Sequence, residues 1–186
     1  LYKTDKDLQL LHTKKAMVAV WDDHEFTNDS WKYGAENHSY DEGLFSTRKA
    51  NAVKAYYEWM PIRESKSKLK IWQKFEVGTL FQLFMLDTRS IYRDEQLDLD
   101  NYINNDKFEV SRFKKDLLKK RDLVGKEQFQ WLDENIDNKF KWSIIGQQVL
   151  VAPTVLPEIF FKFDKSKFPE YLHKYFKIAG MNIPYN

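Results

Sequence analysis

Three short segments of this sequence are predicted to be strands, and polar residues follow each of them at once. These segments limit the possible fold more than any other feature of the sequence. They cover residues 16–20, 80–86 and 141–146, and the first two are apolar on both faces of the predicted strand. Such a strand is typical of a sheet that is covered on both sides, as parallel sheets are. Because helical spacing recurs between these segments, the sequence predicts an α/β fold of the α+β sandwich type, with a mixed buried sheet flanked by helices.

Apolar residues at three- and four-residue spacing predict the helices, and turn residues mark their ends. The predicted helices cover residues 5–13, 46–60 and 109–120, together with a helix that begins at Gly125. This last helix is predicted to bury one stripe of side chains, Phe129, Leu132 and Ile136. Pro61 ends the second helix, because proline disfavours helical geometry in the residue before it. Two strands, 70–77 and 79–86, are predicted to form a hairpin at Gly78.

The polar residues after the first predicted strand are the main functional candidates. Asp22, Asp23, His24 and Glu25 follow one another there, and open α/β sheets bind ligands beyond the carboxyl ends of their strands. Carboxylates suit hard cations, while an imidazole can bind a metal or deliver a proton to a leaving group. The alternative is an acidic loop that caps a helix or faces solvent. The sequence alone leaves both interpretations open.

Further candidates lie in the loop at 27–38 and after the other predicted strands. Asn28 and Asp29 could add oxygen ligands, although both are also ordinary turn residues. Arg89 could hold an anionic substrate group, or it could form a structural ion pair with Asp87. Gln147 and Gln148 interrupt an apolar segment, so their amides need polar partners. Substrate, metal-bound water and backbone remain alternatives for those partners.

Length and charge restrict the other possible functions. The 186 residues fit one domain or part of a larger one, and we interpret 91–125 as a charged helical insertion. With 30 basic and 28 acidic residues, the chain gives no strong electrostatic reason to expect a nucleic-acid partner. The absence of cysteine excludes a thiolate site. No signal peptide and no run long enough to span a bilayer is visible.

Several separated motifs, taken in order, resemble the PhoD-like alkaline phosphatase and phosphodiesterase family of metallophosphoesterases. They are Trp21-Asp22-Asp23-His24-Glu25 with Asn28-Asp29, Arg48-Lys49 to Glu58-Trp59-Met60-Pro61, Leu86-Asp87-Thr88-Arg89-Ser90, Gln128-Phe129-Gln130-Trp131-Leu132, and Trp142 to Gln147-Gln148. The resemblance covers nearly the whole chain, residues 1–186, as a single and incomplete domain. It implies the layered metallophosphoesterase fold and an exported enzyme, periplasmic or extracellular.

The resemblance also implies a mechanism. A hydroxide activated by Fe³⁺ and Ca²⁺ would hydrolyse phosphate mono- or diesters, with Asp23 as a metal ligand and His24 as the acid. Asp22 and Asn28 would be further metal ligands, and Arg89 would act catalytically. The residues expected to contact the substrate or to support the site are Glu25, Asp29, Gln147 and Gln148. Glu25 is expected to orient His24 or the adjoining loop.

The chain also departs from the family pattern. Earlier family motifs, which carry metal-binding Asp and Tyr or Cys residues, and a later Gly-Asp-x-His type segment do not occur in it. We therefore interpret the sequence as a central fragment that binds metal weakly on its own. The alternative is a non-catalytic cation- or ligand-binding domain of the same ancestry. A third hypothesis, nucleic-acid binding by the lysines and aromatic residues of 153–186, predicts binding that is steeply dependent on salt.

Overall fold

The structure is a computed structural model that describes residues 2–105, 107–151, 154–155, 157, 159, 162–178 and 182–183. Parts of the lysine- and aromatic-rich segment 153–186 lie outside the described residues. The helices are α1 (Lys6–Lys14), α2 (Phe45–Trp59), α3 (Val110–Leu117), α4 (Gly125–Asn135) and α5 (His173–Ile178). The strands are β1 (Gln73–Val77), β2 (Phe81–Met85), β3 (Ile103–Asn104), β4 (Lys107–Phe108), β5 (Trp142–Gly146), β6 (Thr154–Val155) and β7 (Asn182–Ile183).

The chain divides into two compact units. The first unit contains Leu1–Arg93 and Val124–Gln148, and the second contains Asp94–Leu123 and Val149–Asn186. The boundaries of the first segment of the second unit lie close to those of the predicted insertion, 91–125. Whether that segment is an insertion in the evolutionary sense stays a prediction.

A three-stranded mixed sheet organises the first unit, with the strand order β1-β2-β5. β1 and β2 are antiparallel and pair from Gln73 with Met85 to Val77 with Phe81, which confirms the predicted hairpin at Gly78. β2 and β5 are parallel, so their carboxyl ends lie at the same edge of the sheet. This parallel pairing brings the polar residues after β2 next to those after β5. The prediction of a mixed sheet with helices is confirmed.

Residues 16–20 do not form the predicted strand. They have no regular secondary structure and pair with no strand of the described chain, and Met17 and Val18 are 43% and 41% exposed. A strand needs a neighbour for its backbone donors and acceptors, and none of the described residues provides one. The third predicted strand, 141–146, was expected to lie in the buried sheet, but β5 lies at the edge of the sheet and leaves Trp142 67% exposed.

The core of the first unit surrounds Trp21, the residue that precedes the acidic cluster. Trp21 is fully buried, and its ring meets those of Phe26 and Tyr56 edge to face at centroid distances of 5.5 Å. Tyr56 lies on the buried face of α2, close to the predicted helix 46–60. The helix ends at Trp59, and the next residue, Met60, is extended because Pro61 follows it. The core therefore fixes the start of the acidic cluster.

Helix α4 buries a different face from the predicted stripe. Phe129 is 63% exposed and Ile136 is 44% exposed, whereas Gln128 is fully buried. Trp131 packs its ring against Phe84 of β2, with centroids 5.8 Å apart. Leu132, the remaining residue of the predicted stripe, is half-buried, and the Gln128 amide pairs with the backbone of Asp87 just beyond β2.

The second unit contains two small strand pairs, and helices α3 and α5. β3 pairs with β4 and β6 pairs with β7, both antiparallel. Its core is a ring cluster of Tyr102, Phe108 and Phe113, in which the rings of Tyr102 and Phe113 lie 5.1 Å apart. In the part of the chain that the structure describes, no helix is long and apolar enough to cross a membrane.

Candidate functional site

Asp23 organises the loop that carries the acidic cluster. One carboxylate oxygen accepts the backbone N–H of His24 at 3.0 Å, and the other accepts that of Asp29 at 2.8 Å. Asp23 is 7% exposed. Burial raises the pKa of its carboxyl, but the hydrogen bond from Asp29 and the charge of Arg89 outweigh burial and hold that pKa below its ordinary value. Asp23 is therefore a buried, ionised residue that closes the turn from 23 to 29.

Arg89 joins this loop to the end of β2. Its guanidinium lies 2.7 Å from Asp22, 3.1 Å from Asp29 and 3.6 Å from Asp23, measured between nitrogen and carboxylate oxygen. Burial lowers the pKa of Arg89, but its hydrogen bonds and ion pairs with the aspartates outweigh that effect and raise it overall. One positive charge thus meets three carboxylates, and it binds all three.

The carboxylate of Asp87 binds backbone N–H groups and does not pair with the guanidinium of Arg89. It is fully buried, and it accepts the backbone N–H groups of Arg89 at 2.9 Å and Ser90 at 2.8 Å, together with the Ser90 hydroxyl. The ion pair considered between Asp87 and Arg89 is not the arrangement found, because the guanidinium extends to the acidic loop instead. Burial lowers the pKa of the nearby Lys49 ammonium, although the charge of Asp87 opposes this effect.

Gln148 connects the acidic loop with the polar residues after β2. Its carbonyl oxygen accepts the backbone N–H of Thr88 at 2.9 Å and the Thr88 hydroxyl at 2.5 Å. Its NH₂ group donates to the carbonyl oxygens of Trp21 at 2.8 Å and Leu86 at 3.0 Å. An amide has two donors and two acceptor sites, so these four bonds use all of them. Gln147 lies beside Gln148, with its oxygen 3.5 Å from the Thr88 hydroxyl.

His24 lies on the exposed side of the loop. Its Nε2 atom is 3.1 Å from the amide oxygen of Asn28, whose NH₂ group donates to Glu36 at 2.6 Å. Glu25 accepts the backbone N–H of Asp22 at 2.7 Å, and its role in orienting His24 or the loop stays a prediction. His24 and Asn28 are therefore in contact, while Asp22, Asp23 and Asp29 meet at Arg89.

The donor atoms only partly fit the expected metals. Carboxylate and amide oxygens suit Fe³⁺ and Ca²⁺, but the guanidinium of Arg89 lies where the three carboxylates converge. Among the residues that the structure describes, no group of three or more His, Asp or Glu side chains is arranged to hold a metal ion. These residues do not form a complete metal shell by themselves. The metal roles of Asp22, Asp23 and Asn28 stay predictions.

Sequence reasoning missed several supporting residues. Gln128 is fully buried and brackets Asp87: its oxygen accepts the Asp87 N–H at 2.7 Å, and its nitrogen donates to the Asp87 carbonyl at 2.8 Å. Thr88 and Glu36 were missed in the same way. The signal for Gln128 was its position among apolar residues of α4, where a buried amide requires polar partners.

Comparison with known proteins gives the class and then the family. A solved structure titled "Structure of PhoD" superposes with a TM-score of 0.64 at 32% identity, covering 81% of this chain and 28% of that chain. Alkaline phosphatase D of Bacillus subtilis (strain 168) is 35% identical over 156 residues, which is 81% of this chain. The class is therefore that of the phosphatases. A family model described as PhoD-like phosphatase matches residues 1–167, and the chain belongs to this family.

The predicted resemblance is thus confirmed over most of the chain. The chain spans only 25% of the length of the curated relative that it matches. The activity of a whole protein of this family is accordingly a proposal for this chain.

Proposed function

We propose that this chain is a central part of a PhoD-like phosphoesterase that hydrolyses phosphate mono- or diesters. The observation that carries the proposal is the convergence of two loops: Arg89, after β2, binds the aspartates that flank His24. Gln148, after β5, ties the same two loops together through Trp21 and Thr88. Family membership supports the reaction class.

In this proposal His24 donates a proton to the leaving oxygen of the ester, because it is exposed and is the imidazole of the acidic loop, and imidazole is the side chain most often used for such proton transfer. Asp23 and Arg89 keep the loop in one conformation through the bonds described above. Asp22, Asp23 and Asn28 would offer oxygens to Fe³⁺ or Ca²⁺. When bound, such a cation would polarise the phosphate and lower the pKa of its water.

Export of the protein to the periplasm or the cell exterior belongs to the same proposal. It follows from the resemblance to PhoD-like alkaline phosphatases. Periplasmic fractionation of the complete gene product tests it, with the phosphoesterase in the cytosolic fraction as the result that contradicts it.

Hydrolysis of p-nitrophenyl phosphate and bis(p-nitrophenyl) phosphate tests the reaction. His24→Ala should lower kcat by about 100-fold or more, since general acid catalysis contributes at least that much. His12→Ala, on α1, is the matched control and should retain the wild-type rate. Metal content of the dialysed protein should be measured on the same samples by elemental mass spectrometry. Equal rates for the wild type and both variants would exclude catalysis by His24.

The ion pairs of Arg89 support a second candidate, a non-catalytic domain of the same ancestry. In that case the three carboxylates serve mainly to hold the loops together, and the domain binds a cation or another ligand without hydrolysis. Thermal unfolding with and without Ca²⁺ separates the candidates: an increase in Tm with no hydrolysis of either ester favours the binding domain.

A further inference from the structure

A short turn, from Trp31 to Gly34, is held in one conformation from several sides. The backbone N–H of Trp31 donates to the carbonyl oxygen of Gly34 at 2.8 Å, which joins the two ends of the turn. Gly34 lies so close to the Trp31 ring that a Cβ atom added to it would be 2.7 Å away. The backbone N–H of Lys32 donates to the carbonyl of Arg93 at 3.0 Å, and the ammonium of Lys49 donates to the carbonyl of Lys32 at 3.3 Å. The turn is therefore anchored to the segment after β2 and to α2.

Tyr33 lies at the tip of this anchored turn, and its ring is open to solvent. The residue is 80% exposed, while the ammonium of Lys32 lies over the ring at 5.2 Å from its centroid. A cation over one face of an aromatic ring is attracted to it and holds the ring in place. An exposed tyrosine on a fixed backbone offers a large contact area, and little conformational entropy is lost when a ligand binds to it.

The turn follows the acidic loop directly. Asp29, whose carboxylate lies 3.1 Å from the guanidinium of Arg89, is four residues before Tyr33. Four residues span at most about 14 Å. The left-handed backbone of Asp29, with φ +48°, keeps this segment from being fully extended. A substrate whose phosphate group reaches the acidic loop can therefore extend its organic part to the Tyr33 ring.

We propose that Tyr33 is a specificity-determining residue that stacks on the planar group of a phosphate ester, either a nucleobase or an aryl ring. The inference rests on the proposed function and narrows its substrates to esters that carry such a group. Every nucleobase has a π-face, so stacking on tyrosine does not depend on which base is present. The positive charge of Lys32 beside the ring favours an anionic ester. A saturated group such as a methyl or a sugar has no face that can stack.

Binding without hydrolysis tests this inference with the methylenephosphonate analogues of AMP and of ribose 5-phosphate, which differ in the nucleobase. Their Kd values can be measured by NMR titration. In the wild type, the analogue with the base should bind about fivefold or more tightly, because stacking of one base contributes at least that factor. Tyr33→Ala should bind both analogues equally, and Tyr33→Phe should keep the difference because it keeps the ring. Tyr40→Ala is the matched control, since Tyr40 is 97% exposed and is followed by the acidic Asp41 and Glu42, and it should also keep the difference.

Three results would overturn the inference: no binding of the AMP analogue to the wild type, equal Kd values for the two analogues in the wild type, or an unchanged difference in Tyr33→Ala. Tyr33 is exposed, so Tyr33→Ala should fold as the wild type does, and its Tm checks this.

Hydrolysis assays report on the proposed function separately. The substrates are p-nitrophenyl thymidine 5′-phosphate and methyl p-nitrophenyl phosphate, two diesters with the same leaving group. In Tyr33→Ala, the ratio of kcat/KM for the thymidine ester to that for the methyl ester should fall by about fivefold or more. An unchanged ratio would contradict the specificity role. If the wild type hydrolyses neither ester, the proposed function fails, while the phosphonate measurements still decide whether Tyr33 binds a planar group.

Discussion

Replacing Gln148 with methionine removes the amide that holds three chain segments together, while keeping a side chain of similar length. In the wild type this amide pairs with the backbone N–H of Thr88 and with the carbonyl oxygens of Trp21 and Leu86. The three partner residues are 1%, 0% and 5% exposed. A thioether cannot replace these bonds, because methionine sulfur is a weak acceptor and has no N–H to donate.

The expected loss of stability follows from the groups left without partners. A buried backbone donor or acceptor without a partner costs about 1–3 kcal/mol. Gln148 itself is half-buried, so water can reach part of the site and the lower end of that range applies. Three such groups give a loss of about 3 kcal/mol in the free energy of unfolding. The Thr88 hydroxyl adds little, because the backbone N–H of Gln148 still donates to it at 3.3 Å.

Urea denaturation followed by tryptophan fluorescence measures this loss. Gln130→Met is the matched control: Gln130 is exposed on α4 and donates only to Glu134, at 2.8 Å, so its replacement should cost less than about 0.5 kcal/mol. Amide hydrogen exchange at Thr88 should also become faster in Gln148→Met alone. A loss below about 1 kcal/mol, or unchanged exchange at Thr88, would refute the argument that Gln148 joins the loops.

Three further predictions concern other parts of the first unit. Arg89→Met should cost about 2–3 kcal/mol in urea denaturation, less than for a fully buried pair because two of the three carboxylates reach solvent. Arg89→Lys should recover only part of this loss, and full recovery would contradict the argument that separate guanidinium nitrogens bind separate carboxylates. Burial raises the pKa of Tyr56 to about 12, so the stability that this residue contributes is complete below pH 10 and is lost as the pH rises from 10 to 12. Tyr56→Phe should weaken this decline of the free energy of unfolding, and an unchanged decline would exclude Tyr56 as its source. Gly125 has φ +69°, and Gly125→Ala should cost about 2–4 kcal/mol because the new Cβ would lie 2.2 Å from the ring of Tyr92. Gly78 has φ +52°, but the Cβ of Gly78→Ala would meet no atom within 4 Å, so this variant should cost only about 1 kcal/mol. Equal losses of stability in thermal unfolding would refute the steric argument.

Elements that depend on near neighbours were predicted well. A helix was predicted from residue 5, and α1 does begin at Lys6, with the carboxylate of Asp5 accepting the backbone N–H of Leu8 at 2.8 Å. Helix α2 and the hairpin at Gly78 also follow the pattern of the sequence. Propensity, capping and hydrophobic spacing act over a few residues, so a single sequence contains the necessary information.

Strand formation by residues 16–20 could not be decided in this way. Their apolar pattern predicts a buried strand, but a strand forms only where another backbone lies alongside. The same limit applies to α4, where the inward face carries a buried amide, Gln128, whose backbone partners lie far along the chain. Apolar pattern measures the tendency to be buried and does not specify the partner.

For the site, the sequence by itself determined the residue types, the order of the motifs and thereby the family: an acidic cluster with His24, then Arg89, then the glutamine pair. The tertiary structure alone decided the partners. Arg89 binds Asp22, 67 positions away, in preference to Asp87, two positions away, which is occupied by backbone N–H groups. Likewise, only the folded chain gives Glu36 its contact with Asn28. Such contacts depend on how the strand ends and loops pack in space, and that packing cannot be predicted from the spacing of residues along the chain.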